Sequence, residues 1–201
     1  MRFPFRLTME HFPPATTRFA AVVLAALTLA GCQMAAMPLL TRPTALLGGA
    51  FSVAGPRGYC VDPAATREQD DTAVVLMGRC RGALAVAPAL LTMSVGPAAS
   101  SGVLAAGGAA LTTYFSSPEG RAALSRTGTA ADVTVIEALG AGDAYLLHLN
   151  DVAVGEYWRA VVGLKGRLVT ISANGTEDTP LSPMVGRDLV DATLAALHRV
   201  N

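Results

Sequence analysis

Three cysteines, three histidines and one lysine are the residues on which most chemistry in this chain would rest. Cys60 and Cys80 stand twenty residues apart, with no Cys-x-x-Cys spacing and no nearby histidine. A redox or metal pair would need one or the other, so the two read as a structural disulfide, which requires an oxidising compartment. Lys165, the sole lysine, is followed by Gly166 and not by Ser or Thr, so there is no phosphate-cradling Gly-Lys-Ser/Thr loop. Ser94 has Gly96 behind it but Thr92 where a nucleophile elbow places its first glycine. No Ser-x-x-Lys and no His-Glu-x-x-His occurs. A Ser–His–Asp site beyond the N-terminal region would have to use His148 or His198. The first sits in Tyr-Leu-Leu-His-Leu, opposite Leu147 and Leu149 if that run is a strand, and the second in a final helical turn. His148 with Asp151 is the only local metal-ligating pair, and two groups do not make a site. Glu68, Asp70 and Asp71 lack the alternating oxygen ligands of a calcium loop and read as a solvated turn. The residues therefore imply no catalytic centre, no metal and no cofactor.

Composition narrows the class further. The chain has 201 residues, with fifteen basic and fifteen acidic side chains, 52% hydrophobic and 15% charged residues. The apolar share is too high for a disordered chain, and there is no basic excess for binding nucleic acid.

The N-terminus must be set aside before the fold is read. Arg2, Arg6 and Arg18 precede an apolar run from Phe19 to Ala30. Twelve helical residues reach about 18 Å, short of the ~30 Å of bilayer hydrocarbon, so the run fits a secretory signal better than a span. Met9 offers a second possible start that leaves Arg18 as the charge of a shorter n-region. Leu29-Ala30-Gly31-Cys32 resembles the lipobox of bacterial lipoproteins. That resemblance implies cleavage before Cys32, diacylglyceryl (palmitate-type) modification of its thiol, and anchoring to a membrane. Gln33 stands where an Asp would retain an enteric lipoprotein in the inner membrane, so the resemblance implies the outer membrane, facing the periplasm.

The expected organisation is a signal peptide over 1–31, an acylated N-terminus and flexible tether over 32–48, and one periplasmic domain over 49–201. Cleavage leaves 170 residues with twelve basic and fourteen acidic side chains. Short strands are expected at Phe51–Val53 and Tyr59–Val61, then a brief helix over Ala64–Gln69 behind Asp62-Pro63. Longer strands follow at Thr72–Met77 and Ala89–Val95. Residues 96–110, rich in Gly, Ala and Ser, read as a loop or as a weak helix from about Ala109 to Phe115. Ser117-Pro118-Glu119 starts another helix. Strands are expected at Val133–Ile136, Ala144–Leu149, Tyr157–Leu164 and Arg167–Ala173, the last two joined by a Lys165-Gly166 turn. Ser182-Pro183 opens an amphipathic C-terminal helix. The fold class is α+β, a mostly antiparallel sheet of about six or seven strands packed with two or three helices. The element order and Glu156-Tyr157-Trp158-Arg159 resemble PsbP-like domains, which implies an accessory factor. Tyr157 and Trp158 invite a ligand-platform reading, but one aromatic is expected under the terminal helix and the other facing out. The first functional reading is a non-catalytic envelope lipoprotein that meets another envelope protein. The alternatives are a small-molecule or lipid carrier with a deep apolar pocket near 96–110, and an unrecognised hydrolase using His148.

Overall fold

The computed structural model describes residues 42–201 except Glu177. The chain is α+β, built on an antiparallel sheet. Among the described residues ten strands form: β1 Thr44–Leu46, β2 Phe51–Val53, β3 Tyr59–Val61, β4 Arg67–Gln69, β5 Thr72–Arg79, β6 Leu90–Val95, β7 Val133–Ala141, β8 Ala144–Asp151, β9 Gly155–Leu164 and β10 Arg167–Asn174. Among the described residues three α-helices join them: α1 Gly107–Ser116, α2 Pro118–Leu124 and α3 Pro183–Val200. β1 and β2 make a separate hairpin, while the main sheet runs β3-β5-β6-β10-β9-β8-β7, with β4 also pairing β5.

Apart from the Ala64–Gln69 helix, the expected elements are present, and two short strands are added, β1 in the span read as a tether and β4 in the span read as a helix, each too short to show a period of its own. One element differs in kind. The helix expected over Ala64–Gln69 is a single turn: Asp62 accepts hydrogen bonds from the amides of Ala64 and Ala65 at 2.9 and 3.3 Å, and the chain then straightens. Arg67–Gln69 pairs with Thr72–Val74, and Asp70 turns the chain at φ 52°. Asp62 caps as expected, but the next residues gain more from a ladder beside β5 than from a second helical turn. Residues 96–110 are ordered: Ser100–Ala106 form a 3-10 segment leading into α1. β7 runs on to Ala141, so its turn is Gly142-Asp143.

Strand parity sorts the core into two layers. On the first face, Val75, Met77, Leu91, Met93, Val95, Ile171, Ala173, Trp158, Ala160, Val162 and Leu146 pack beneath α3 and the β1–β2 hairpin. Ser182 caps α3 and Pro183 takes its first position. The helix buries Val190, Leu194, Ala196 and Leu197. Its end is tied to the hairpin through Asn201, whose amide donates to Ser52 O at 2.8 Å and accepts from Ser52 N at 3.0 Å. On the opposite face, Tyr145, Leu147, Leu149, Tyr157 and Val161 pack against Leu104, Leu111, Phe115 and Leu124 of the α1–α2 layer. This second layer reaches over β7, β8, part of β9 and, through the 3-10 segment, the start of β10.

Lys165 and Gly166 both have positive φ, 49° and 73°, as a two-residue hairpin turn with the sheet's own twist demands. That turn fixes the β9–β10 register: Arg159 faces Ser172, and Trp158 faces Ala173.

Candidate functional site

Cys60 on β3 and Cys80 just beyond β5 form a disulfide with Cα atoms 5.0 Å apart. The adjacent strands already bring the backbones together, since Cys60 pairs with Gly78 and Cys80 N donates to Gly58 O at 2.8 Å. The bridge therefore pins the β3 edge of the sheet. Cys32 and the signal region lie outside the described residues. Within the span read as a tether, Thr44–Leu46 is a strand, and Leu46 is buried in the first core layer.

His148 does not meet a serine nucleophile. Its ring stacks on the indole of Trp158, with centroids 4.5 Å apart and planes 4° from parallel. Its Nε2 lies 2.7 Å from Glu156 Oε1, an ion-pair distance, but without the alignment of a hydrogen bond. The Arg187 guanidinium sits 4.9 Å from the Trp158 ring, and Arg187 Nε bonds Asp191 one helical turn on. Gly186 lies against the same ring, where a Cβ would make an ordinary van der Waals contact with Trp158 Cδ1 at 3.5 Å. The assembly packs the helix start onto the sheet. It sets an imidazole beside a carboxylate, with no nucleophile among the described residues bonded to either. His198, in the last turn of α3, lies 3.4 Å from Asp143. Among the described residues there is no group of three or more metal-ligating side chains.

Trp158 lies under the terminal helix as expected. Tyr157 differs: it points to the other face, as parity requires, but it is buried beneath the α1–α2 layer instead of facing solvent. Burial pushes the Tyr157 phenol above its ordinary value; Arg159 and Arg126 pull it down and Asp151 raises it. Arg159 stands 5.5 Å over the Tyr157 ring, close enough for cation–π attraction.

The carrier reading needs a deep apolar pocket beside residues 96–110. A cleft does form there, lined by Leu104, Gly108, Leu111, Tyr145 and Val161, but it measures only about 230 Å³, below the ~300 Å³ at which small-molecule pockets begin. A cleft of about 440 Å³ lies beside Arg121, Val133 and Val135. Arg121 is committed there to the carbonyls of Ser116 and Ala130.

Part of the second face, around Val74, Leu90 and Ser94, lies outside the α1–α2 layer. The ladders align Leu76, Thr92, Ser172 and Arg159 in one row across β5, β6, β10 and β9, and Val74, Ser94 and Thr170 in the next, which ends on Val161 beneath the α1–α2 layer. Val74 is 41% exposed and Leu90 37% exposed. Sheets with one solvated face normally alternate hydrophobic-in and polar-out. Here Val74 and Leu90 are apolar outward residues, set among Thr and Ser hydroxyls. Arg159 closes the Glu156-Tyr157-Trp158-Arg159 run, but nothing in the sequence pattern joins it to Ser172 or Asn174 as a site. The Lys165-Gly166 turn holds the signal, since it pairs Arg159 with Ser172 and leaves Asn174 beside Tyr157.

Neither a protein-family model, nor a curated protein, nor a solved structure matches this chain. Among the described residues, no helix is long and apolar enough to cross a membrane.

Proposed function

We propose that the protein is a lipid-anchored envelope lipoprotein, acylated on Cys32, whose disulfide-bonded α+β domain acts in the periplasm as a non-catalytic interaction module. The observation that carries this reading is the cysteine inventory. Two of the chain's three cysteines are joined in a disulfide, which leaves Cys32 with no cysteine to pair with inside the chain. Cys32 also directly follows Leu29-Ala30-Gly31. A multiply acylated cysteine is a durable anchor, since each buried methylene contributes about 0.8 kcal/mol. The folded domain takes up the chain at Thr44, close behind that residue. Gln33 favours the outer membrane. The bare sheet surface around Val74, Leu90, Thr92 and Thr170 supports a protein partner on the side away from the α3 helix.

The test is metabolic labelling with a fatty-acid probe, comparing wild type with Cys32→Ser, followed by membrane fractionation. Label carried by wild type and lost from the variant supports the anchor. A photo-crosslinking residue at Ser94 is then expected to capture an envelope protein that the same residue at Asp188, on α3, does not. Unlabelled wild type removes the lipoprotein reading.

A further inference from the structure

We propose that Tyr157, Arg159, Ser172 and Asn174 form a binding subsite for an α-carboxylate that carries an N–H on its α-carbon, the group found in a free amino acid or at a peptide C-terminus. The four side chains share the second sheet face. Arg159 faces Ser172 across the β9–β10 ladder, Tyr157 and Asn174 lie one pleat further on, and Thr92 and Leu90 flank them on β6.

Arg159 is half-buried. Its Nε donates to Ser172 Oγ at 2.9 Å and its plane stands over Tyr157, so both contacts hold the guanidinium in place. The two terminal nitrogens have no partner among the described residues, and none of the ion pairs there involves Arg159. An arginine held by Nε with its outer N–H groups free is a fork for a planar oxyanion. Asp151 also acts on Tyr157, so a second negative charge on the ligand would be disfavoured there.

Asn174 supplies the second half of the recognition. It is 7% exposed, and its Oδ1 is buried without a hydrogen-bond donor. Buried polar atoms in folded proteins are almost all paired, so an unpaired acceptor beside an unpaired cation marks a place for a ligand with both an oxyanion and an N–H. Leu90 is exposed enough to meet an apolar side chain on the same α-carbon. The subsite does not depend on the anchor, and the Cys32→Ser chain is expected to bind as the wild type does.

The full chain in detergent micelles is titrated by calorimetry with N-acetyl-L-leucine, free leucine, 4-methylpentanoate and leucinamide. Saturable binding of one of the first two is expected, with 4-methylpentanoate weaker for want of the N–H and leucinamide weaker for want of the carboxylate. Preference for N-acetylleucine assigns the ligand to a peptide C-terminus, and preference for leucine to a free amino acid. Hydrogen bonds to a charged group are worth enough that Arg159→Gln is expected to weaken binding about ten- to a hundredfold. Arg159→Lys, which keeps the charge and stem but not the fork, is expected to weaken it as well while leaving the thermal midpoint near wild type. Equal binding of all four compounds, binding of none, or affinity unchanged in both Arg159 variants overturns the proposal.

Discussion

Gly120→Ala tests whether the second helical layer is as tightly folded as described. Gly120 is buried in the first turn of α2, directly after the Ser117 corner that separates it from α1. A Cβ placed there would lie 2.0 Å from Tyr114 O, 2.6 Å from Tyr114 C and 2.7 Å from Phe115 Cα. Carbon atoms in good contact sit about 3.5–4.0 Å apart, so the two helices would have to separate by about 1 Å. The obstructing atoms are backbone and cannot swing aside. Two effects oppose each other. Alanine is favoured over glycine in a helix by about 1 kcal/mol. Overpacking of this kind costs about 1–3 kcal/mol and more where backbone must move. Taking about 3 kcal/mol for the clash against about 1 for propensity gives a net loss of about 2 kcal/mol or more. At about 2–4 °C per kcal/mol for a domain of this size, the thermal midpoint should fall by about 4–8 °C. Gly108→Ala in α1 is the matched control, since nothing lies within 4 Å of the position its new methyl would take; it should leave the midpoint level or slightly raised. Unfolding of both variants followed by circular dichroism decides the matter. If Gly120→Ala is as stable as wild type, the α1–α2 corner is not as closely packed as its geometry states.

Three further outcomes are expected. Replacing Cys60 and Cys80 together by alanine opens a loop of separation 20 and should cost about 3 kcal/mol in urea unfolding; no change in the denaturation midpoint would mean the strand ladder alone holds that edge. Arg167 is buried and bonds Asp71 Oδ1, Asp71 O and Gly96 O at 2.6, 2.9 and 2.9 Å. Its bond to Asp71, and then the Ala98 amide, hold the Asp71 carboxyl below its ordinary value. A lowered folded pKa stabilises above the unfolded value and loses that contribution as pH falls through the folded one. Asp71→Asn should therefore be less stable than wild type at neutral pH, and the gap should close below the ordinary carboxylate range; a gap constant with pH would show the charge to be irrelevant. Ser182→Ala removes the α3 cap, a 3.4 Å bond from Val185 N, and should cost about 1 kcal/mol by thermal unfolding; a loss near zero would mean Pro183 and the buried face define the helix start without the hydroxyl.

What the sequence made legible follows from how far each signal reaches. The C-terminal helix announces itself through a cap, a proline and an apolar stripe, all local. The β9–β10 hairpin is equally local: two positive-φ residues at Lys165 and Gly166 set a register that holds through Ala173. The α1–α2 layer is not, because Gly107–Ser116 buries no residue fully and its Gly- and Ala-rich start carries no period. Its position depends on Tyr145 and Tyr157, which come later in the chain, and on the Thr112–Tyr145 hydroxyl contact at 2.6 Å. The same limit explains the aromatic pair. Parity alone puts Tyr157 and Trp158 on opposite faces, and the apolar stripe of α3 assigns one of them a cover. Nothing near residue 157 says that a second layer arrives from residues 104–124 to bury the other. Once that layer is in place, its edge becomes the informative feature: it covers Tyr157 and stops short of Ser94 and Thr170. Arg159 is thereby left half-buried at the boundary between a packed core and an open sheet. A charge at such a boundary is desolvated enough to select a partner and exposed enough to reach one.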